Sequence, residues 1–141
     1  MKKYVLGFLF DEEDRKVALI LKRRPKWQSS LYNGVGGEIE GDEKPLSAMV
    51  REFEEETGAV ILDHCWEHVI TLISMQFDSI VYIFKANGKT GLLESKTDEQ
   101  VCKIDYIDLP HKVVPNLRWM IPLILSDIQF PLVIFENKVI A

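Results

Sequence analysis

The segment 37–59, which reads GEIEGDEKPLSAMVREFEEETGA, is the most informative stretch of this chain. Pro45 suits the first turn of a helix, and Gly58 stands where a left-handed residue commonly follows the last turn. At about 100° per residue, most apolar side chains between these two positions fall on one stripe. The pattern therefore predicts a helix over about 45–57 that packs one face against a core.

Three glutamates of this helix gather on a second face. Glu52, Glu55 and Glu56 are three and four positions apart, which places them on neighbouring turns. Like charges in such a cluster repel each other, so an acidic face in solvent is the simplest interpretation. A divalent cation offers a second one, because hard cations such as Mg²⁺ prefer oxygen ligands. The helix by itself leaves both interpretations open.

The spacing around the helix is more specific. Five residues separate Gly37 from Glu43, seven more separate Glu43 from Arg51, and the run REFEEETGA begins at Arg51. This arrangement resembles the Nudix box, G-x5-E-x7-R-E-U-x-E-E-x-G-U, where U is a bulky aliphatic residue. Every glycine, glutamate and arginine of the box is present, while Phe53 and Ala59 depart mildly at the two U positions, which serve packing. The chain therefore resembles the MutT-like Nudix hydrolases.

The resemblance implies hydrolysis of a phosphoanhydride bond in a nucleoside diphosphate linked to another group, with Mg²⁺ or Mn²⁺ as cofactor. It implies that Glu52, Glu55 and Glu56 bind the metal and that one of them, Glu52 in many members, is the base toward water. The Gly36 carbonyl is a further expected ligand. Arg51 is expected to hold a glutamate in place rather than to touch substrate.

Other residues complete the expected metal site. Glu43 is expected to support the metal shell or the preceding loop, and Gly37 and Gly58 are expected to meet the backbone requirements of the box. In this family a carboxylate outside the box often completes the site. We expect Glu99 to be that ligand, with Asp98 as the other candidate and a solvated loop acid as the alternative.

The segments flanking the box resemble those of animal hydrolases of oxidised purine nucleoside triphosphates. Asn33, in the entry LYNGVGG, matches an asparagine that binds the base in those enzymes, although it could instead cap the following turn. Trp27 and Arg23 match an aromatic and a basic position of the same pocket. Asn116 is expected either to bind the base or to cap the last helix, and Trp119 is a further candidate for stacking.

The expected substrate is a nucleoside triphosphate, oxidised or not, cut to a monophosphate and pyrophosphate. An acidic pair grips the purine in the similar enzymes, but Asn116 and Leu117 stand there in this chain, so the sequence leaves the base open. The alternative is another nucleotide diphosphate derivative, such as a dinucleoside polyphosphate, a nucleotide sugar or a capped RNA end. A nucleotide-sensing module is the non-enzymatic alternative, and the intact box argues against it.

Length and charge limit the number of domains and the kinds of partner that this chain can have. The 141 residues suit a single domain, 1–141, and 47% hydrophobic with 28% charged residues are typical of an ordinary globule. A net charge of −5 disfavours long nucleic acid as a partner. No apolar run approaches a membrane span, and two cysteines are too few for a disulfide framework. We expect a cytoplasmic protein that binds a small nucleotide, with a homodimer as an option.

Apolar runs outside the box predict strands that pack against helices. A second helix is expected at 116–126, and strands are expected at 4–10, 17–21, 69–75, 80–86, 101–107 and 130–135. The segment 27–37 reads as a loop rich in glycine and aromatic residues. Together with the resemblance, the pattern predicts an α/β fold of the Nudix type, an α/β/α sandwich with a mixed β-sheet.

Overall fold

The computed structural model describes residues 1–137 and is built around a mixed sheet. Its strands are β1 (Lys2–Asp11), β2 (Lys16–Leu21), β3 (Tyr32–Asn33), β4 (Val35–Glu38), β5 (Glu67–Ser74), β6 (Ser79–Asn87), β7 (Gln100–Asp105) and β8 (Leu132–Glu136). Its helices are α1 (Pro45–Thr57) and α2 (Leu117–Ile124). Every strand and helix predicted from the sequence is present.

The main path of the sheet has the order β3-β2-β1-β6-β5-β8, while β4 pairs with β1 and β7 pairs with β2. β1 runs parallel to β6 and β5 runs parallel to β8, whereas the other pairs are antiparallel. Along one edge, β1 changes partner: residues 4–7 pair with β4, and residues 10–11 pair with β2. The mixed sheet predicted from the sequence is therefore confirmed.

Alternate strand residues build two cores, one on each face of the sheet. Phe8 of β1 belongs to the same cluster as Met120 of α2. Its neighbour Leu9 belongs to a second cluster, which includes Met49 and Phe53 of α1. The two helices therefore cover opposite faces, and the predicted α/β/α sandwich is confirmed.

α1 begins and ends at the predicted residues. Pro45 is in its first turn, and Gly58 ends it with a left-handed φ of 77°. The segment after β6 closes over this end, where the Lys96 N–H donates to the Glu56 carbonyl at 3.2 Å. The acidic helix is thus tied to the loop that leads into β7.

The segment 27–37, predicted to be a loop, contains strand β3 and most of β4. β3 pairs with β2, and β4 pairs with the first half of β1. At Gly36 the backbones approach so closely that a Cβ atom would overlap the Val5 carbonyl oxygen. The glycines that allow this approach also remove the alternating apolar pattern by which a strand is usually predicted.

α2 has eight residues and contains Pro122, so it is shorter than the predicted 116–126. Within residues 1–137, no helix is both long enough and apolar enough to cross a membrane.

Candidate active site

The acidic face of α1 lies against strand β4. A Cβ atom on Gly37 would overlap the Glu52 carboxylate, and the Gly36 N–H donates to Glu56 Oε2 at 3.1 Å. The Glu52 side chain is 13% exposed, whereas that of Glu55 is 56% exposed. Of the three α1 glutamates predicted to bind metal, Glu52 and Glu56 are therefore packed against the sheet, and Glu55 lies at the surface.

Arg51 joins this face to the loop before α1. Its guanidinium donates to both carboxylate oxygens of Glu43, at 2.7 and 2.9 Å, and to Glu52 Oε1 at 2.9 Å. Two-pronged, charge-assisted hydrogen bonds of this kind are strong and directional. They hold the pKa of Glu43 below its usual value and that of Arg51 above it. Arg51 also donates to Glu55 at 3.3 Å and therefore contacts three carboxylates at once.

Burial makes the ionised forms of Glu52 and Glu56 unfavourable. It raises the pKa of Glu56 to about 8; the charges of Glu52 and Glu99 contribute to the increase, and Lys22 opposes it. Burial also raises the pKa of Glu52, although Arg51 opposes the change. Without a cation, the protonated form of Glu56 is therefore favoured near neutral pH.

The donor atoms of this face suit a hard divalent cation. Glu52, Glu55 and Glu56 offer carboxylate oxygens and Gly36 offers a carbonyl, the ligand type that Mg²⁺ and Mn²⁺ prefer. Among the described residues, no three His, Cys, Asp or Glu side chains already stand in a coordinating arrangement. Arg51 and the Gly36 N–H instead bond to Glu52 and Glu56. A cation would compete with these two protein donors.

Glu99 lies near the acidic face but is hydrogen bonded to the segment that follows β2. Its carboxylate accepts from Lys22 Nζ at 2.9 Å and from the N–H groups of Arg23 and Arg24 at 2.6 and 3.3 Å. Burial opposes the charge, yet these hydrogen bonds lower the pKa of Glu99. The neighbouring Asp98 pairs with the Arg24 guanidinium in solvent. Glu99 therefore has three protein donors before any metal is considered.

A cavity of about 650 Å³, here called the groove, begins beside the acidic face and crosses the α2 side of the sheet. Six strands contribute to it, through Asn33 of β3, Gly36 of β4, Leu6 of β1, Val81 of β6, Leu72 of β5 and Glu136 of β8. The groove therefore runs across the strands rather than along them.

The groove contains three of the five predicted substrate residues, Trp27, Asn33 and Asn116. Asn33 Oδ1 accepts the Gly34 N–H at 2.8 Å, and Asn33 Nδ2 donates to Gln28 Oε1 at 3.0 Å. The turn-capping alternative is thus present while the residue still lines the groove. Asn116 precedes α2 but makes no side-chain capping bond.

Two further residues predicted to bind substrate, Arg23 and Trp119, do not line the groove. Lys22 and Arg24 line the groove, whereas Arg23 does not; its side chain is 64% exposed and lies beside Asp98, as that of Arg24 does. Trp119 is on the outer surface of α2, where its Nε1 donates to Asn116 Oδ1 at 3.2 Å. Its aromatic face is therefore not part of the groove wall.

The groove residues that the sequence did not predict include Phe77, Ser74, Ser79 and Glu136. Phe77, in the turn between β5 and β6, stacks on Trp27 with ring centroids 5.6 Å apart and planes 10° apart. The other three are neighbours in the strand register. Only Phe77 has a local signal in the sequence, as an aromatic residue in a polar turn. Ser74, Ser79 and Glu136 come together only through strand pairing.

The family model described as NUDIX domain matches residues 2–123 of this chain. An uncharacterised Nudix hydrolase of Bacillus subtilis, YvcI, is 32% identical over 93 residues, which span 62% of this chain and 56% of that protein. The aligned region therefore spans little more than half the length of this relative.

Solved structures share the architecture at low identity. The mutator MutT protein of Bacillus halodurans gives a TM-score of 0.64 with 21% identity, over 90% of this chain and 84% of its own. A bifunctional NMN adenylyltransferase/ADP-ribose pyrophosphatase of Francisella tularensis, in complex with AMP and a manganese ion, gives 0.69 with 14% identity, over 88% and 41%. At these identities the likeness shows a common fold.

Proposed function

The chain belongs to the NUDIX domain family, and from this membership we propose that it is a divalent-metal-dependent hydrolase of nucleoside diphosphate derivatives. One observation carries the proposal: Glu56 is hydrogen bonded to Gly36, which lines the groove. The acidic face of α1 and a cavity of nucleotide size therefore meet at one point. Volumes of about 300–1,000 Å³ are typical of small-molecule sites.

Our preferred substrate is a nucleoside triphosphate, cut to a monophosphate and pyrophosphate. Lys22 and Arg24 line the groove and supply positive charge for phosphates, while Trp27 supplies a flat apolar surface for a base. The second candidate is a nucleotide-linked diphosphate such as ADP-ribose. The similar fold of the Francisella tularensis enzyme, which is named an ADP-ribose pyrophosphatase, favours that candidate.

Each residue of the acidic face has a proposed role. Glu52, Glu55, Glu56 and the Gly36 carbonyl would hold Mg²⁺ or Mn²⁺, which when bound neutralises phosphate charge and lowers the pKa of water. Glu52 accepts the proton of the attacking water at Oε2, since Arg51 occupies Oε1. Arg51 keeps this carboxylate oriented.

Two residues beside the acidic face, Lys22 and Glu99, are assigned to the phosphates of the substrate. Lys22 binds a phosphate oxygen, and Glu99 positions the Lys22 ammonium. With a net charge of −5, the partner is a free nucleotide rather than long nucleic acid. Because free nucleotides are abundant in the cytoplasm, we place the activity there, in a monomer or a homodimer.

The test is a panel of nucleoside triphosphates, ADP-ribose and dinucleoside polyphosphates, with products separated by ion-exchange chromatography. We expect turnover with Mg²⁺ or Mn²⁺, poor turnover with Ca²⁺, and none in excess chelator. Ca²⁺ is the informative control because it prefers a larger and looser coordination shell. Undiminished turnover in chelator would show that the reaction needs no divalent metal, and binding without turnover would identify a sensor.

A further inference from the structure

A row of polar side chains lies at the end of the groove away from the acidic face. Ser79, Ser74 and Glu136 occupy adjacent register positions on β6, β5 and β8, and all three line the groove. The two serines are buried, at 5% and 3% exposure. From the start of α2, Asn116 Nδ2 donates to Glu136 Oε2 at 3.4 Å. The reaction proposed above uses none of these groups.

The strand order separates this row from the phosphate end. Gly36, which is bonded to Glu56, lies on β4, and the strands that follow across the sheet are β1, β6, β5 and β8. Four interstrand steps of about 4.8 Å give a separation of about 19 Å between β4 and β8. An extended nucleotide with its phosphates beside Gly36 therefore directs its base toward Glu136.

Glu136 brings a particular hydrogen-bonding character to that end. A carboxylate accepts hydrogen bonds and donates none. Adenine, cytosine and guanine carry an exocyclic amino group on the Watson–Crick edge, and such a group can donate to Glu136. Uracil and thymine present two carbonyl oxygens there, on either side of a single N–H. Carbonyl lone pairs that face a carboxylate are repelled and lose their hydrogen bonds to water.

We propose that Glu136 selects the nucleobase, favouring bases that carry an amino group over uracil and thymine. Asn116 holds the carboxylate through its Nδ2 and leaves its second amide hydrogen for a ring acceptor of the base. The stacked rings of Trp27 and Phe77, both more than half exposed, offer flat surfaces to the base at the groove wall. The inference rests on the proposed function for the nucleotide as ligand.

The test is equilibrium binding of AMP, CMP, GMP, UMP and TMP by isothermal titration calorimetry without divalent cation. It uses the full chain, Glu136→Gln, and Glu67→Gln as the matched control, since Glu67 is an exposed glutamate on β5 that pairs with Lys85. We expect the preferred amino-bearing nucleotide to bind at least about tenfold more tightly than UMP or TMP. Glu136→Gln, whose amide both donates and accepts, should reduce this preference to about twofold or less, and Glu67→Gln should retain it.

Three results overturn the inference: wild type binds UMP or TMP as tightly as any other nucleotide, folded Glu136→Gln keeps the tenfold preference, or no monophosphate binds. Circular dichroism and the melting temperature establish that the variant is folded. Hydrolysis is measured separately, so the two proposals fail independently. Base-selective binding without turnover would refute the reaction and support the base site, whereas turnover without base selectivity would do the opposite.

Discussion

Arg51 is the residue on which the geometry of the acidic face depends most. Its guanidinium bonds to Glu43, Glu52 and Glu55 together, so replacing it leaves three carboxylates without this partner. Lysine keeps the charge but cannot form the two-pronged contact. We therefore expect Arg51→Lys to lower turnover by at least about tenfold and to lower the melting temperature by a few degrees.

Steady-state kinetics and thermal unfolding of the same preparations test this expectation. Arg118→Lys is the matched control, because Arg118 donates to the carbonyls of Pro110 and His111 away from the acidic face. If turnover and melting temperature fell equally in both variants, the losses would not be due to the specific contacts that Arg51 makes.

Glu56 is expected to have opposite effects on stability and activity. It is buried against Gly36, where its charge is unfavourable without a cation. Glu56→Gln should therefore raise the melting temperature of the metal-free protein while lowering turnover with saturating Mg²⁺ by about a hundredfold or more. The comparison variant is Glu54→Gln, an exposed position on another face of α1. A Glu56→Gln enzyme with wild-type turnover would exclude this carboxylate as a ligand.

At the level of elements, helix α1 could be predicted to the residue, whereas β3 and β4 could not. The signals for α1 are local: Pro45 at its start, Gly58 after its end and an apolar stripe between them. β4 depends on glycines that let it approach β1, and such a strand has no apolar alternation to detect. The prediction that the α1 glutamates bind metal also depends on a local signal, the spacing of residues within the box.

The end of β1 is held by a buried carboxylate that makes stability depend on pH. Hydrogen bonding from the Thr90 N–H is the main cause that holds the pKa of Asp11 below its usual value, and the Asp14 N–H contributes. A lowered pKa in the fold means that ionised Asp11 stabilises the protein above the unfolded-state pKa of about 3.9. This contribution is lost as pH falls through the lower value in the folded state.

We therefore expect Asp11→Asn to unfold at lower denaturant concentration than wild type at pH 7, with the gap closing below about pH 4. Chemical denaturation followed by circular dichroism at several pH values measures the gap. Glu12→Gln, at an exposed neighbouring position, should show no such gap. A gap that stays constant into acid would assign the effect of Asp11→Asn to packing rather than to charge.

At the scale of the whole molecule, the groove is a product of strand order, and strand order is not a local property of the sequence. Glu136 comes next to Ser74 because β8 pairs in parallel with β5, more than fifty residues earlier in the chain. No motif near Glu136 signals this pairing. Similarly, the position of Arg23 in the sequence predicts that it belongs to the pocket, yet its neighbours Lys22 and Arg24 line the groove and Arg23 does not.

The two tryptophans predicted for the pocket allow the groove to be tested as a whole. Trp27 lines it and stacks on Phe77, whereas Trp119 reaches it only by its hydrogen bond to Asn116. Stacking of a base on an aromatic ring is worth about 1–3 kcal/mol. We expect Trp27→Leu to raise KM for the preferred nucleotide about tenfold with little change in kcat, because the contact is equally present in ground and transition states. Trp119→Leu should change KM by less than about threefold, since its ring offers the base no face. Tryptophan fluorescence provides a second measurement, because each variant lacks one indole. Quenching of the remaining fluorescence on nucleotide binding should persist in Trp119→Leu and fall in Trp27→Leu. The reverse pattern in both measurements would place the base on the outer side of α2 and would remove the groove from substrate binding.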